Sequence, residues 1–294
     1  MLYMKKTSAL TMLGIALLIS ANGVAQSHLK GVTEIPFTMD RNLMLIKAKV
    51  NGKKEYNFIY DTGTTGLVLS EPLVQENKLK VTGTTTMQSP NSIEPDKVNT
   101  VVVPKLKLNG FEIKKLDGVA VPSQQIFSPN ASGIIGLSAF KGNLVTIDFK
   151  NSKLILKKGA LDSKDKNVVK VDFSRAPEAY VKVNGEDMLA VFDCGGPTEI
   201  SFPMEWKSKL KLKSEPVLFA KARTPGGEVE VYKTQLDGTI SFGSIAFKDP
   251  AIMLVTGGFG AINFGNPFFQ KYTTTLDMAN QLMRFEAIST IQQN

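Results

Sequence analysis

Two aspartates stand in matching surroundings in this 294-residue chain. Asp61 lies in NFIYDTGTTGLVLS, between two apolar runs with glycine just behind it; Asp193 lies in MLAVFDCGGPTEISFP, placed the same way. One such aspartate is an ordinary turn former, because its carboxylate bonds its own downstream backbone. Two of them invite a different chemistry. Carboxylates a few ångströms apart cannot both ionise and hold one proton between them. The charged member takes a proton from a trapped water, and the protonated member donates to the carbonyl oxygen under attack. Such a pair hydrolyses an amide without metal or cofactor, and Gly63 and Gly195 allow tight backbone behind each carboxylate.

Other hydrolytic chemistries lack their parts. The single histidine, His28, sits near the N-terminus, and Cys194 is the only cysteine. A Ser-His or Cys-His nucleophile has no usable base, a His/Cys zinc site has too few ligands, and no disulfide forms within the chain. Beside Asp193 the Cys194 thiol is a poor thiolate, since an adjacent anion raises its pKa. The Gly257-Gly-Phe-Gly260 run reads as a loop and not as a phosphate cradle.

The aspartates need elements to bring them together, and the chain supplies these twice. Lys49-Val-Asn-Gly52 recurs as Lys182-Val-Asn-Gly185, each leading through an apolar strand to its aspartate. A short helix-like piece follows each strand, at Glu71–Leu79 and at Pro203–Leu210, where Trp206 reads as core. Two hairpins come next: Val81–Met87 with Lys97–Val103, and Val217–Arg223 with Glu228–Thr234. In the tails, Gly136 and Gly265 are each followed in the same register by Phe140 or Phe269, Asp148 or Asp277, and Asn151 or Asn280. Asp148 and Asp277 precede turn residues and read as turn formers.

This repetition predicts two lobes, at 33–158 and 168–290, joined by a charged linker at 159–167. Short segments rich in Val, Ile, Thr and Phe, punctuated by Gly, Pro and Asn, make the class all-β: two pseudo-symmetric, barrel-like lobes with a cleft between them.

Residues 1–25 read as a signal peptide: Lys5 and Lys6, an apolar run from Ala9 to Ile19, then small residues at Gly23 and Ala25. The run is short of the roughly 18 to 20 residues that a membrane span needs. An exported protein, periplasmic or secreted, is expected, and the few residues before the first strand leave no room for an inhibitory pro-segment. The 35 Lys and Arg against 27 Asp and Glu give a formal charge of +8, or +6 without Lys5 and Lys6. Lysines such as Lys105, Lys107, Lys114 and Lys115 are scattered over strands without interleaved aromatics, so no nucleic-acid partner is expected. The sequence fixes no oligomeric state.

Asp61-Thr62-Gly63-Thr64, Ile134-Ile135-Gly136, Asp193-Cys194-Gly195 and Phe264-Gly265 together resemble the two-lobed, pepsin-like aspartic peptidases, and the wording FIYDTGTT is similar to bacterial members related to retropepsins. The resemblance implies catalysis by Asp61 and Asp193, support from the loops Thr62-Gly63-Thr64 and Cys194-Gly195, and a peptide or protein substrate held between the lobes. The chain departs from that pattern in three places. Cys194 replaces the hydroxyl that ties the two loops together, Gly196 lacks the hydroxyl that Thr64 offers its carboxylate, and no aromatic residue lies between Tyr60 and Phe111 to cover the cleft. Met87 or Ile93, or else another loop, is the expected cover. Two alternatives stand beside the peptidase: a silent peptide-binding relative that has lost the hydroxyls, and a glycosidase, which needs carboxylates about 5 Å apart or more and sugar-binding aromatics.

Overall fold

The computed structural model describes residues 31–288 except 53, 88–94, 127, 225–226 and 258–259. The leader, His28 and Ile93 lie outside the described residues. In chain order the first strands are β1 (Thr33–Asp40), β2 (Leu43–Val50), β3 (Glu55–Tyr60), β4 (Leu67–Ser70), β5 (Lys80–Met87), β6 (Asp96–Leu108), β7 (Phe111–Val121), β8 (Gly133–Ile135), β9 (Leu144–Asp148) and β10 (Lys153–Lys157). The second series is β11 (Val168–Lys170), β12 (Glu178–Val183), β13 (Glu186–Phe192), β14 (Ile200–Pro203), β15 (Val217–Thr224), β16 (Gly227–Gln235), β17 (Thr239–Phe242), β18 (Ile245–Lys248), β19 (Ala251–Val255), β20 (Ile262–Phe264), β21 (Tyr272–Asp277) and β22 (Leu282–Ala287). The protein is all-β and two-lobed.

The first lobe closes as a barrel in the order β2-β3-β8-β4-β7-β6, sealed where Lys49 and Val50 of β2 meet Lys107 and Leu106 of β6. Its exposed strands alternate inward and outward residues, whereas β4 and β8 are buried along their whole length because both faces are covered. The second lobe repeats the order as β16-β19-β14-β20-β13-β12-β17. There the long hairpin of the first lobe is broken at Gly238 and Pro250. Pro250 has no N–H for the ladder, and Asp249 before it turns with φ of 50°. Gly238 lies against the Asn184 side chain, in a conformation with φ of 138°.

The tails of the two halves meet in one antiparallel sheet, β11-β22-β21-β9-β10-β1. At its centre Thr146 pairs with Thr275, their hydroxyls 2.9 Å apart. These two residues hold the same place in the two repeats, 10 residues after Gly136 and after Gly265, so a pseudo-twofold axis passes between them. Asp148 accepts from the backbone N–H and side-chain amide of Asn151 at 3.0 and 2.7 Å, and Asp277 from those of Asn280 at 3.2 and 2.8 Å. Both are turn formers, as their spacing predicts.

Aromatic packing carries much of each core. In the first lobe Phe140 stacks on Phe111 and meets Tyr60 edge-on; Phe192, Phe242, Phe264, Phe268 and Phe285 form a tighter cluster in the second. Tyr60 and Phe192 directly precede the two aspartates, so each catalytic candidate is anchored by a ring driven into its own core. Trp206 is half-buried against Phe202 at the edge of the second core.

Candidate active site

Each aspartate leaves the C-terminal end of a strand that runs parallel to a neighbour. Phe58 to Tyr60 of β3 pair with Gly133 to Ile135 of β8, and the Asp61 N–H then donates to the Ile135 carbonyl at 3.2 Å. In the second lobe Ala190 to Phe192 of β13 pair with Ile262 to Phe264 of β20, and the Asp193 N–H donates to the Phe264 carbonyl at 2.9 Å. Gly136 and Gly265 then close under the loops. A Cβ on either would lie 2.1 Å from a backbone oxygen, Thr64 in one lobe and Thr198 in the other.

The two loops are tied together across the axis. Thr62 Oγ1 donates to the Phe192 carbonyl at 2.8 Å and accepts from the Cys194 N–H at 2.9 Å. Cys194 mirrors this: its Sγ accepts from the Thr62 N–H at 3.3 Å and reaches the Tyr60 carbonyl at 3.7 Å. Sulfur thus takes the position of the expected hydroxyl and keeps its partners at longer range. Burial, and after it the charge of Asp61, pushes the thiol pKa well up, so Cys194 is a structural group and not a nucleophile.

Cys194→Thr is therefore expected to fold and to raise the thermal unfolding midpoint, since a hydroxyl here finds two backbone partners already in place. A net gain of about 1 kcal/mol corresponds to about 2 to 4 °C for a chain of this size. A lowered midpoint in a thermal scan would show that the pocket is shaped for sulfur.

The carboxylates themselves are buried, Asp61 at 0% and Asp193 at 1% exposure. They interact directly with each other. Asp61 accepts from the Gly63 N–H at 2.7 Å and from Thr64 Oγ1 at 2.8 Å. Asp193 accepts from the Gly195 N–H at 2.8 Å, and its second oxygen takes a longer contact of 3.4 Å from Asn263 Nδ2. Burial raises the pKa of both, and the charge of Asp61 pushes Asp193 well above the usual carboxylate range. The pair therefore holds one proton to higher pH than an isolated carboxylate does.

Gly63 and Gly195 serve closeness more than turning. Neither lies in the left-handed region, but a Cβ on Gly63 would sit 2.6 Å from the Asp193 carboxyl, and one on Gly195 would sit 2.7 Å from that of Asp61. Each glycine faces the aspartate of the opposite lobe. The expected cover needs correcting: Met87, at the end of β5, is fully buried in an apolar cluster with Val98, Val119 and Ile126 that is separate from the main core. Ile93 lies outside the described residues. Asn263 was not among the residues the motifs single out.

An all-β protein whose two halves present a buried carboxylate pair at their junction is the class that fold and site define. The sequence pattern of the aspartyl protease family matches residues 46–139 and 179–268, one stretch around each aspartate, and the chain belongs to that family. No curated protein matches the chain. No helix among the described residues is long and apolar enough to cross a membrane.

Proposed function

We propose that this protein is an exported aspartic endopeptidase that hydrolyses peptide bonds with a water activated between Asp61 and Asp193. The observation that carries this reading is the set of hydrogen bonds on the pair: both buried carboxylates keep a donor on each oxygen, although the second copy has lost its hydroxyl. Asp61, with two short donors, is the better site for the negative charge and acts as the base toward water. Asp193, beside that charge, keeps the proton and donates it to the carbonyl oxygen under attack. An extended peptide would align by backbone bonds with the β5–β6 hairpin of the first lobe. The leader-like residues 1–25 support a location outside the cytoplasm, in the periplasm or beyond it.

Purified protein comprising residues 26–294, incubated with a diverse peptide library and read by mass spectrometry, tests the proposal. Internal cleavage at a recurring set of sites is expected. Capture of peptides without any cleavage would instead favour a silent peptide-binding protein, the reading for which the long Cys194 contact at 3.7 Å speaks.

A further inference from the structure

The two lobes satisfy their carboxylates by different means. In the first, Thr64 donates its hydroxyl and Ile134, on β8, is an apolar buried residue. In the second, the place of Thr64 is taken by Gly196: Leu137 N–H donates to the Thr64 carbonyl, and its counterpart Asn266 N–H donates to that of Gly196. The place of Ile134 is taken by Asn263, two residues before Gly265 as Ile134 is before Gly136. A Cβ on Gly196 would lie 3.0 Å from Asn263 Nδ2. The amide thus occupies the space that a side chain at position 196 would need, and reaches the same Asp193 oxygen from the neighbouring strand.

The amide is not there for packing. Asn263 sits between the fully buried Ile262 and Phe264, and its own Oδ1 is buried without a partner. An apolar residue, as in the first lobe, would leave no such orphan.

We propose that Asn263 is a positioning residue for Asp193, replacing the hydroxyl absent at Gly196 with a longer bond and so making Asp193 the proton-holding member of the pair. This rests on the reading of Asp61 and Asp193 as the catalytic dyad. A donor at 3.4 Å stabilises an ionised carboxylate less than one at 2.8 Å. The shared proton then survives to higher pH, and the working range extends toward neutral. The other titratable groups near the pair are Cys194 and Tyr60, both kept neutral by burial, which pushes their pKa values well up.

The test is the pH profile of kcat/KM for a cleaved peptide in Asn263→Leu, which keeps the side chain's shape and removes its donor. Losing a hydrogen bond to the ionised form raises the pKa at which the shared proton leaves. The basic limb should therefore move up by about half a pH unit to one unit, with kcat falling about three- to tenfold and KM little changed. The acid limb should stay in place. Should that variant fail to fold, Asn263→Ala combined with Gly196→Thr decides, because it installs the short hydroxyl donor of the first lobe and should bring the basic limb below that of the native protein. An unmoved basic limb in Asn263→Leu overturns the proposal even if kcat drops, and so does an unmoved or raised limb in the double variant. Asp193→Asn separates the two levels. Continued hydrolysis in that variant would sink the dyad itself, whereas its loss, together with an unshifted Asn263→Leu profile, would sink only the role of Asn263.

Discussion

Asp61→Asn and Asp193→Asn are each expected to lower kcat/KM by at least about three orders of magnitude while the fold persists. An asparagine keeps the shape and can still accept from Gly63 or Gly195, but it cannot carry the proton that the two carboxylates share. A hydroxyl-bearing transition-state mimic should bind the native protein tightly and both variants poorly. Stability adds a second readout. Because the folded-state pKa of Asp193 lies well above its unfolded value, folding favours the protonated form. The native protein therefore loses stability as pH rises from about 4, the unfolded carboxylate value, up through the folded pKa. Asp193→Asn has no proton to lose there. It should melt higher than the native protein at pH 7 and alike near pH 3. Equal melting at both pH values would mean that the pair is not under electrostatic tension.

Gly63→Ala and Gly195→Ala should also slow hydrolysis, by about a hundredfold, for a steric reason. The new methyl carbon would lie 2.6 Å from one carboxyl carbon or 2.7 Å from the other, well inside van der Waals contact. Either the loop or the opposing carboxylate has to move, and a displacement of about 1 Å at a reacting group costs about a hundredfold in rate. The loss should fall on kcat more than on KM, since the methyl meets the carboxylates and not the walls that hold a peptide. Steady-state kinetics within about threefold of the native protein in either variant would show that the two carboxylates are not held at this spacing.

Much of this arrangement is legible in the sequence because it is written twice. The shared register after Gly136 and Gly265 anticipates the turn roles of Asp148 and Asp277, and it places Thr146 opposite Thr275 on the axis. The paired Asp-x-Gly motifs locate the carboxylates for the same reason. Where the copies diverge, the sequence is a poorer guide. The breaks at Gly238 and Pro250 split a hairpin that is continuous in the first lobe. Met87 reads as a cover only when no aromatic residue is found nearby, yet it is the one buried residue at the end of a strand that is otherwise exposed or half-buried. Asn263 escapes a motif search because it belongs to no motif. Its signal is a polar residue in Ile262-Asn263-Phe264 where the other copy has Gly133-Ile134-Ile135, and that exchange has meaning only beside the loss of side chain at Gly196. Cys194 raises doubt as a weak donor, yet geometry lets its sulfur meet the same backbone partners as a hydroxyl.

The central claim is that water, held between Asp61 and Asp193, attacks the peptide directly. Single-turnover hydrolysis of a cleaved peptide in oxygen-18 water, with protein in excess and both product and protein analysed by mass spectrometry, tests it most directly. The account predicts one heavy oxygen in the new C-terminal carboxylate of the product and none in Asp61 or Asp193. Unlabelled product with heavy oxygen in either aspartate would mean that a carboxylate had attacked the substrate itself, and the account would be contradicted.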